Sequence, residues 1–526
     1  MAAGSTMARS ARGAGLLSAQ SILGALLGTL LFIYQTRILN KQEMGVFAAV
    51  LLVQNVATVL GVLGFDAAAS RFVPFLIGRG SSTRELRSFS KWVLLLSIAS
   101  ASIFGLAIFV LSPMLSVIML GSNDFFYIFQ VDSLVVFFGI LALILMGYVQ
   151  GLQKYLHLAI YRLLAQISRV GLSISFLSAG LGVVSIYYGW LSFQVLAALL
   201  SFPLIFIFIS KTFPMHEDQT AGISIKSLLA FSVPVMIYGF LGFLSNSLDQ
   251  FFVLFIGPEA LGAYVVAVTG NTLLTQIFVT PLLMTLTSGL SEVHGRARPE
   301  DLRNFLTVAN RYVILSFFPL IFGLIALAPI AIYILAGVSY PEAVQPFVMI
   351  CLGMSVLGLS TVIQSALTAL GETRRIMFVF LGAIAIQLAV CWALTPSFGL
   401  LGASLGRTSM FLAMFILFVW ASSKVLSLSI DKIFLGKALF SSAVMGALVY
   451  ALALWSGFSL WLTPLYMLIG GAIYFFSCSF LRTIKLDDIR FIFGLLPVGA
   501  KILAKMEKVI KTHKMLYGAA RALLFA

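Results

Sequence analysis

Stretches of about 20 apolar residues recur in this chain from residue 13 to residue 481, each long enough to cross the roughly 30 Å hydrocarbon layer of a bilayer as a helix. In lipid a helix closes its own backbone hydrogen bonds, so helices are the form such stretches take. Composition agrees: 61% of the 526 residues are hydrophobic and 10% are charged, against about 25% charged in soluble domains. The fold class that follows is an all-α integral membrane protein.

Reading apolar windows against charged and Pro/Gly breaks predicts helices at 13–36, 43–66, 92–112, 130–151, 163–181 and 187–210. A second group falls at 227–256, 262–286, 308–336, 345–370, 376–396 and 399–422, and two more helices at 438–456 and 459–481. The polar run KTFPMHEDQTAGISIK, Lys211 to Lys226, parts the first six from the next six. The expectation is about fourteen spans: an N-terminal lobe over 1–215, a C-terminal lobe over 216–436, an appended pair over 437–481 and a tail over 482–526.

With the amino terminus in the cytoplasm, one set of alternate connections carries Arg79, Arg84, Arg87, Lys91, Lys154, Arg162, Arg296, Arg298, Arg374 and Arg375 among others, and the opposite set carries only Arg37 and Lys41. Positive residues concentrate on the cytoplasmic side, so both termini are expected inside the cell membrane. The tail mixes Lys501, Lys505, Lys508, Lys511 and Lys514 with Ile502, Leu503, Met506, Val509 and Ile510, the pattern of a basic amphipathic helix lying on anionic lipid. The excess of 33 Lys and Arg over 18 Asp and Glu therefore reports topology, and no nucleic-acid partner is expected.

Motifs for covalent chemistry are missing. The sequence has no GxxxxGK[ST] and no HExxH, and His157, His216, His294 and His513 are scattered over loops and tail. Cys351, Cys391 and Cys478 sit singly in apolar segments without metal-ligand spacing. Outer connections no longer than about twenty residues leave no room for an extracellular catalytic domain. The chain is expected to be no enzyme, to hold no cofactor or metal, and to draw energy from an ion gradient, the membrane potential or the substrate gradient.

An internal repeat is visible. ILNKQEMGVFAAV (Ile38 to Val50) joins the first two helices and LFIGPEALGAYVVAV (Leu254 to Val268) joins the seventh and eighth. Aligning Gly45 with Gly262 sets Phe47 over Tyr264 and Gln54 over Asn271. Equivalent elements stand six helices apart, an even number, so the two lobes share topology and are related by an axis along the membrane normal.

Two segments carry a family resemblance. TRILNKQEMGVFAAVLL with LGFDAAASRFVP, Thr36 to Pro74, and FSVPVMIYGFLGFLSNSLDQFFVLFIGPEALGAYVVAV, Phe231 to Val268, resemble the first, second, seventh and eighth helices of the polysaccharide exporters and O-antigen-type flippases. These form part of the multidrug/oligosaccharidyl-lipid/polysaccharide superfamily. Gln250 departs from the family, whose members often have arginine there. The resemblance implies two six-helix lobes around a central cavity lined by those four helices, with the last pair outside. It also implies a polyprenyl-linked oligosaccharide as cargo, flipped by alternating access, with membrane lipids and the glycosyltransferases of the same pathway as partners and a monomer as the working state.

Charges inside a membrane are costly, so each is a functional candidate until a cheaper explanation covers it. Arg407 in GASLGRTSM either binds the pyrophosphate or an acidic sugar of the cargo or pairs with a polar group on a neighbouring helix. Arg37 either snorkels to headgroups or touches substrate. Arg71 either obeys the positive-inside rule or attracts the anionic headgroup on the side where it is made. Arg169 reads as an interface anchor. Asp249 either binds a coupling cation or proton or closes an ion pair. The amides Gln54, Asn55, Asn246, Asn271 and Gln276 suit sugar hydroxyls and equally suit interhelical hydrogen bonds. The competing functions are a multidrug/cation antiporter of the same superfamily, which calls for acidic cavity residues, and a non-transporting scaffold for envelope glycan assembly.

Overall fold

A computed structural model describes residues 2–78, 83–211, 225–280, 299–423 and 431–481, with 282–283, 286–287, 290 and 483. Nearly all of the predicted basic tail lies outside the described residues, as do 212–224 of the polar linker. Among the described residues every regular element is a helix. In chain order these are α1 (Ala2–Ile38), α2 (Lys41–Val62), α3 (Phe65–Gly78), α4 (Thr83–Leu120), α5 (Phe126–Gly151), α6 (Tyr155–Ser178), α7 (Val184–Lys211), α8 (Ile225–Leu254) and α9 (Pro258–Leu274). Then follow α10 (Pro299–Ala326), α11 (Ala328–Ala336), α12 (Val344–Ala369), α13 (Thr373–Phe398), α14 (Leu400–Ser422), α15 (Lys432–Trp455) and α16 (Thr463–Phe480).

Among the described residues thirteen spans are long and apolar enough to cross a membrane. Helix α6 has the length, 24 residues, but Arg162 and Arg169 interrupt its apolar run; with it the number becomes the fourteen expected. Lipid-facing side chains such as Val110, Leu199, Trp392 and Phe476 are apolar and exposed, as they must be where the solvent is hydrocarbon.

Two spans are broken where the sequence reading has them continuous. The second bends after Val62, with Leu63 (φ 51°) and Gly64 (φ 73°) both left-handed, and resumes as α3. At Gly64 the sign of φ and the nearby carbonyl of Ser232 on α8 both exclude a side chain. The ninth is interrupted at Leu327, between α10 and α11. Past Leu274, α9 widens into a π-turn over Thr275–Val279, which shifts the register of the side chains beyond it.

The chain forms two compact units. The larger, Met1–Phe305 with Leu327–Leu428, holds α1–α9 and α11–α14. Its tightest crossing is between α2 and α9: a side chain on Gly45 would collide with the carbonyl of Pro258, and one on Gly262 would collide with the carbonyl of Lys41. These are the two glycines that the repeat sets over one another, and equivalent residues of two copies meet where the operator relating them passes. The smaller unit gathers Leu306–Ala326 with the described residues from Asp431 to Thr483. Within it the hydroxyl of Tyr474 donates to the carbonyl of Leu315 (3.0 Å), Arg311 Nη2 donates to that of Thr483 (3.0 Å), and the guanidinium of Arg311 lies 4.6 Å from the ring centre of Phe434.

Candidate functional site

Helix α14 opens GASLG, and its Gly402 and Gly406 let it pack at backbone distance on α13: side chains there would strike the carbonyl of Leu394 and the sulfur of Cys391. This small-xxx-small spacing is how helices approach closely in lipid. It leaves the next residue, Arg407, turned toward α8, seven residues or about 10 Å along α14. Arg407 is 2% exposed and Asp249, near the end of α8, is 0% exposed. Arg407 Nε donates to Asp249 Oδ2 and Nη2 donates to Oδ1, both at 2.7 Å. Nη2 also donates to the carbonyl of Asn246 at 2.5 Å, and the hydroxyl of Tyr264 on α9 donates to Asp249 Oδ2.

Three helices are thus tied by one fully buried, overall neutral cluster. A bidentate guanidinium–carboxylate pair with every carboxylate oxygen occupied is the arrangement in which such a pair survives burial. Of the sequence candidates the structure brings together Arg407, Asp249 and the backbone of Asn246, and both ions already hold a partner in this conformation. Asn246 keeps its exposed side chain on its own helix, donating to the carbonyl of Gly242 at 2.8 Å.

Arg71 lies elsewhere, on α3 beyond the Leu63–Gly64 bend, and is exposed. Its guanidinium rests on aromatic faces, 4.5 Å from the ring centre of Phe231 on α8 and 5.6 Å from that of Phe72. A guanidinium stacked this way keeps its N–H edge open to an anion, and Arg71 has no carboxylate partner among the described residues.

The turn between α1 and α2 is fastened to the segment 333–342. Thr36 Oγ1 donates to the carbonyl of Leu335 (2.7 Å, buried). Arg37 Nη2 donates to that of Tyr333 (3.1 Å) and the tyrosine hydroxyl of residue Tyr340 donates to that of Leu39 (3.4 Å). Lys41 Nζ pairs with Glu342 Oε1 at 2.5 Å. Asn40 caps α2 in a reciprocal box with Glu43, each bond 2.9 Å.

The amides divide by burial. Gln54 on α2 and Asn271 on α9, matched by the repeat, are both buried (5% and 3% exposed), and each has a side-chain carbonyl oxygen without a donor. Asn55 is half-buried and Gln276, in the π-turn, is exposed. Arg169 on α6 stacks 3.5 Å from the ring centre of Trp190 on α7. The sequence reading misses the Tyr264 bond, the Thr36 bond and the Lys41–Glu342 pair, none of which has a local signal; the N-x-x-E box at Asn40 is the one local signal here, and it marks only the cap of α2.

Comparison with known proteins adds the following. No match was found among curated proteins. Among solved structures the chain is similar to the lipid II flippase MurJ in an inward closed conformation, with a TM-score of 0.67 and 15% identity over 89% of this chain and 99% of that one. It is similar to an inward-facing multidrug resistance MATE family transporter of the MOP superfamily (TM-score 0.58, 14% identity, 76% of this chain and 94% of that one). It also resembles a MOP superfamily transporter from Pyrococcus furiosus (TM-score 0.54, 16% identity, 78% and 95%). These structural likenesses establish a shared fold. In sequence, residues 35–345, more than half of the chain, match the family model described as polysaccharide biosynthesis protein, and the chain belongs to that family.

Proposed function

We propose that this protein carries a polyprenyl-(pyro)phosphate-linked oligosaccharide across the cell membrane by alternating access, its headgroup passing between two lobes, 1–215 and 216–436, and its tail remaining in lipid. Family membership supports a role in glycan assembly, and the fold is shared with a protein named as a lipid II flippase. The observation that carries the cargo class is Arg71. It offers an open guanidinium on an aromatic shelf built from α3 and α8, which suits a phosphate better than a cation.

In this reading the fastened end around residues 36–45 and 333–342 is the outer gate in its closed state, and Arg71 lies on the cytoplasmic side, where the cargo is made. Gln54 and Asn271 meet sugar hydroxyls, since each carries an unanswered oxygen on a helix of the central crossing. The Asp249–Arg407 cluster is a strut within the C-terminal lobe. Both termini face the cytoplasm, the protein works as a monomer, and pathway glycosyltransferases supply its cargo.

The antiporter alternative fits less well, because Asp249, the carboxylate it would use for a cationic drug, is already neutralised by Arg407. Reconstitution in vesicles with a fluorescent polyprenyl-diphosphate oligosaccharide tests the proposal. Movement of that lipid, lowered by Arg71→Ala, is the expected result; export of cationic dyes without lipid movement would favour the antiporter.

A further inference from the structure

Two carboxylates of the larger unit, Asp249 and Asp132, are 0% exposed, and they are held in opposite ways. Asp249 accepts from both Arg407 nitrogens and from Tyr264. Asp132, two turns into α5, has no hydrogen-bond donor to either Oδ1 or Oδ2 among the described residues. Its own helix surrounds it with Ile128, Phe129, Val135 and Val136, none more than 1% exposed. A divalent ion would need about six oxygens, and the described residues contain no group of three metal-ligating side chains.

The charged and titratable groups on the helices packed against α5 are mostly far away or engaged. Asp66 on α3 lies against Gly147, fifteen residues and roughly 22 Å along α5. Glu85, Arg87 and Lys91 begin α4 at the end where Phe89 meets Tyr148. Glu43 is engaged in the α2 cap, and Arg169 on α6 is stacked on Trp190. Lys41 on α2 pairs with Glu342, Arg71 on α3 stacks on Phe231, Tyr188 on α7 is exposed against Phe176, and Arg169 leaves its Nε unbonded among the described residues. Tyr187 on α7, itself 0% exposed, lies within electrostatic range of Asp132. Its hydroxyl donates to the carbonyl of Phe47 on α2 at 2.7 Å.

We infer that Asp132 is a proton-binding site, filled in this conformation, and that exchange of its proton with water couples the transport cycle to a proton gradient. An ionised carboxylate without a donor at this depth is costly, whereas a carboxylic acid is not. On release of the proton the anion needs a donor, and the Tyr187 hydroxyl, within electrostatic range, supplies it. That hydroxyl then leaves Phe47, and α7 lets go of α2 beside the Gly45 crossing. The coupling rests on the transport reading above; the proton site does not.

Difference infrared spectroscopy of the purified full chain at neutral pH reads the site directly. The wild type is expected to show a protonated-carboxyl band that Asp132→Asn abolishes and Asp132→Glu shifts. In vesicles carrying the fluorescent lipid-linked oligosaccharide, a gradient of one pH unit should bias net movement by up to about tenfold in the wild type. Asp132→Asn and Tyr187→Phe should respond little or not at all. A wild type without the acid band, or an Asp132→Asn variant that follows the gradient like wild type, overturns the inference. A wild type that shows the band but moves no lipid sustains the proton site and overturns the cargo reading.

Discussion

Arg407 forks onto both carboxylate oxygens of Asp249, 2.7 Å to each, from a residue 158 positions away in the chain. Removing either partner strands the other charge in a dry environment, at about 3–5 kcal/mol. Arg407→Ala and Asp249→Ala are therefore expected to lower the thermal unfolding midpoint in detergent. The double replacement Asp249→Leu with Arg407→Met should recover most of the loss, since an apolar pair of similar volume leaves no charge behind. A double variant no better than the singles would contradict the strut role.

The α2–α9 crossing tolerates no side chain at its centre. Gly45→Val drives a branched chain into the Pro258 carbonyl and should cost about 1–3 kcal/mol or more, read as lost midpoint in the same unfolding assay. Gly171→Ala, with open space around the new methyl, is the control and should be silent or slightly stabilising.

Lys41 and Glu342 are partly exposed, so their pair adds only about 0–1 kcal/mol to stability. Its importance lies in position. A thiol-reactive cross-link between Lys41→Cys and Glu342→Cys should stop transport reversibly without lowering the unfolding midpoint. The charge swap Lys41→Glu with Glu342→Lys should work better than either single reversal.

No carboxylate among the described residues answers the fork of Arg71, and a phosphate on it would be held by hydrogen bonds to a charged group worth about 1.5–3 kcal/mol. Arg71→Ala should slow transport of a diphosphate-linked glycan by about ten- to a hundredfold at unchanged expression. Arg71→Lys should fall between, keeping the charge but losing the planar fork. Equal rates for all three would remove Arg71 from the headgroup path.

What was legible in the sequence follows the range of each interaction. Helix number is legible in 20-residue windows because a span is written in consecutive residues; the window for α6 starts at 163, past Arg162, whereas the helix runs Tyr155–Ser178. The Gly45/Gly262 register was readable because a repeat copies local sequence, and it led to the tightest crossing in the larger unit. The break at Leu63–Gly64 was less visible: in VLGVLGF two glycines compete for it, and the carbonyl of Ser232 that selects Gly64 is 168 residues away. For Arg407, a costly charge in a span marked the residue but not its partner, since nothing local in GASLGRTSM points to Asp249. Asp132 carries the same mark in the run FQVDSLVVFF, but nothing local shows that no donor among the described residues reaches it.

Movement of a lipid-linked glycan is measured with the purified protein alone. The purified chain is placed in vesicles with a fluorescent polyprenyl-diphosphate oligosaccharide on both leaflets, and the fraction reachable by a membrane-impermeant quencher is followed. The account predicts that quenching runs past the outer-leaflet half toward completion, that it stops there in empty vesicles, and that the Lys41–Glu342 cross-link restores the halt. Quenching that stops at half with active, folded protein present would contradict it.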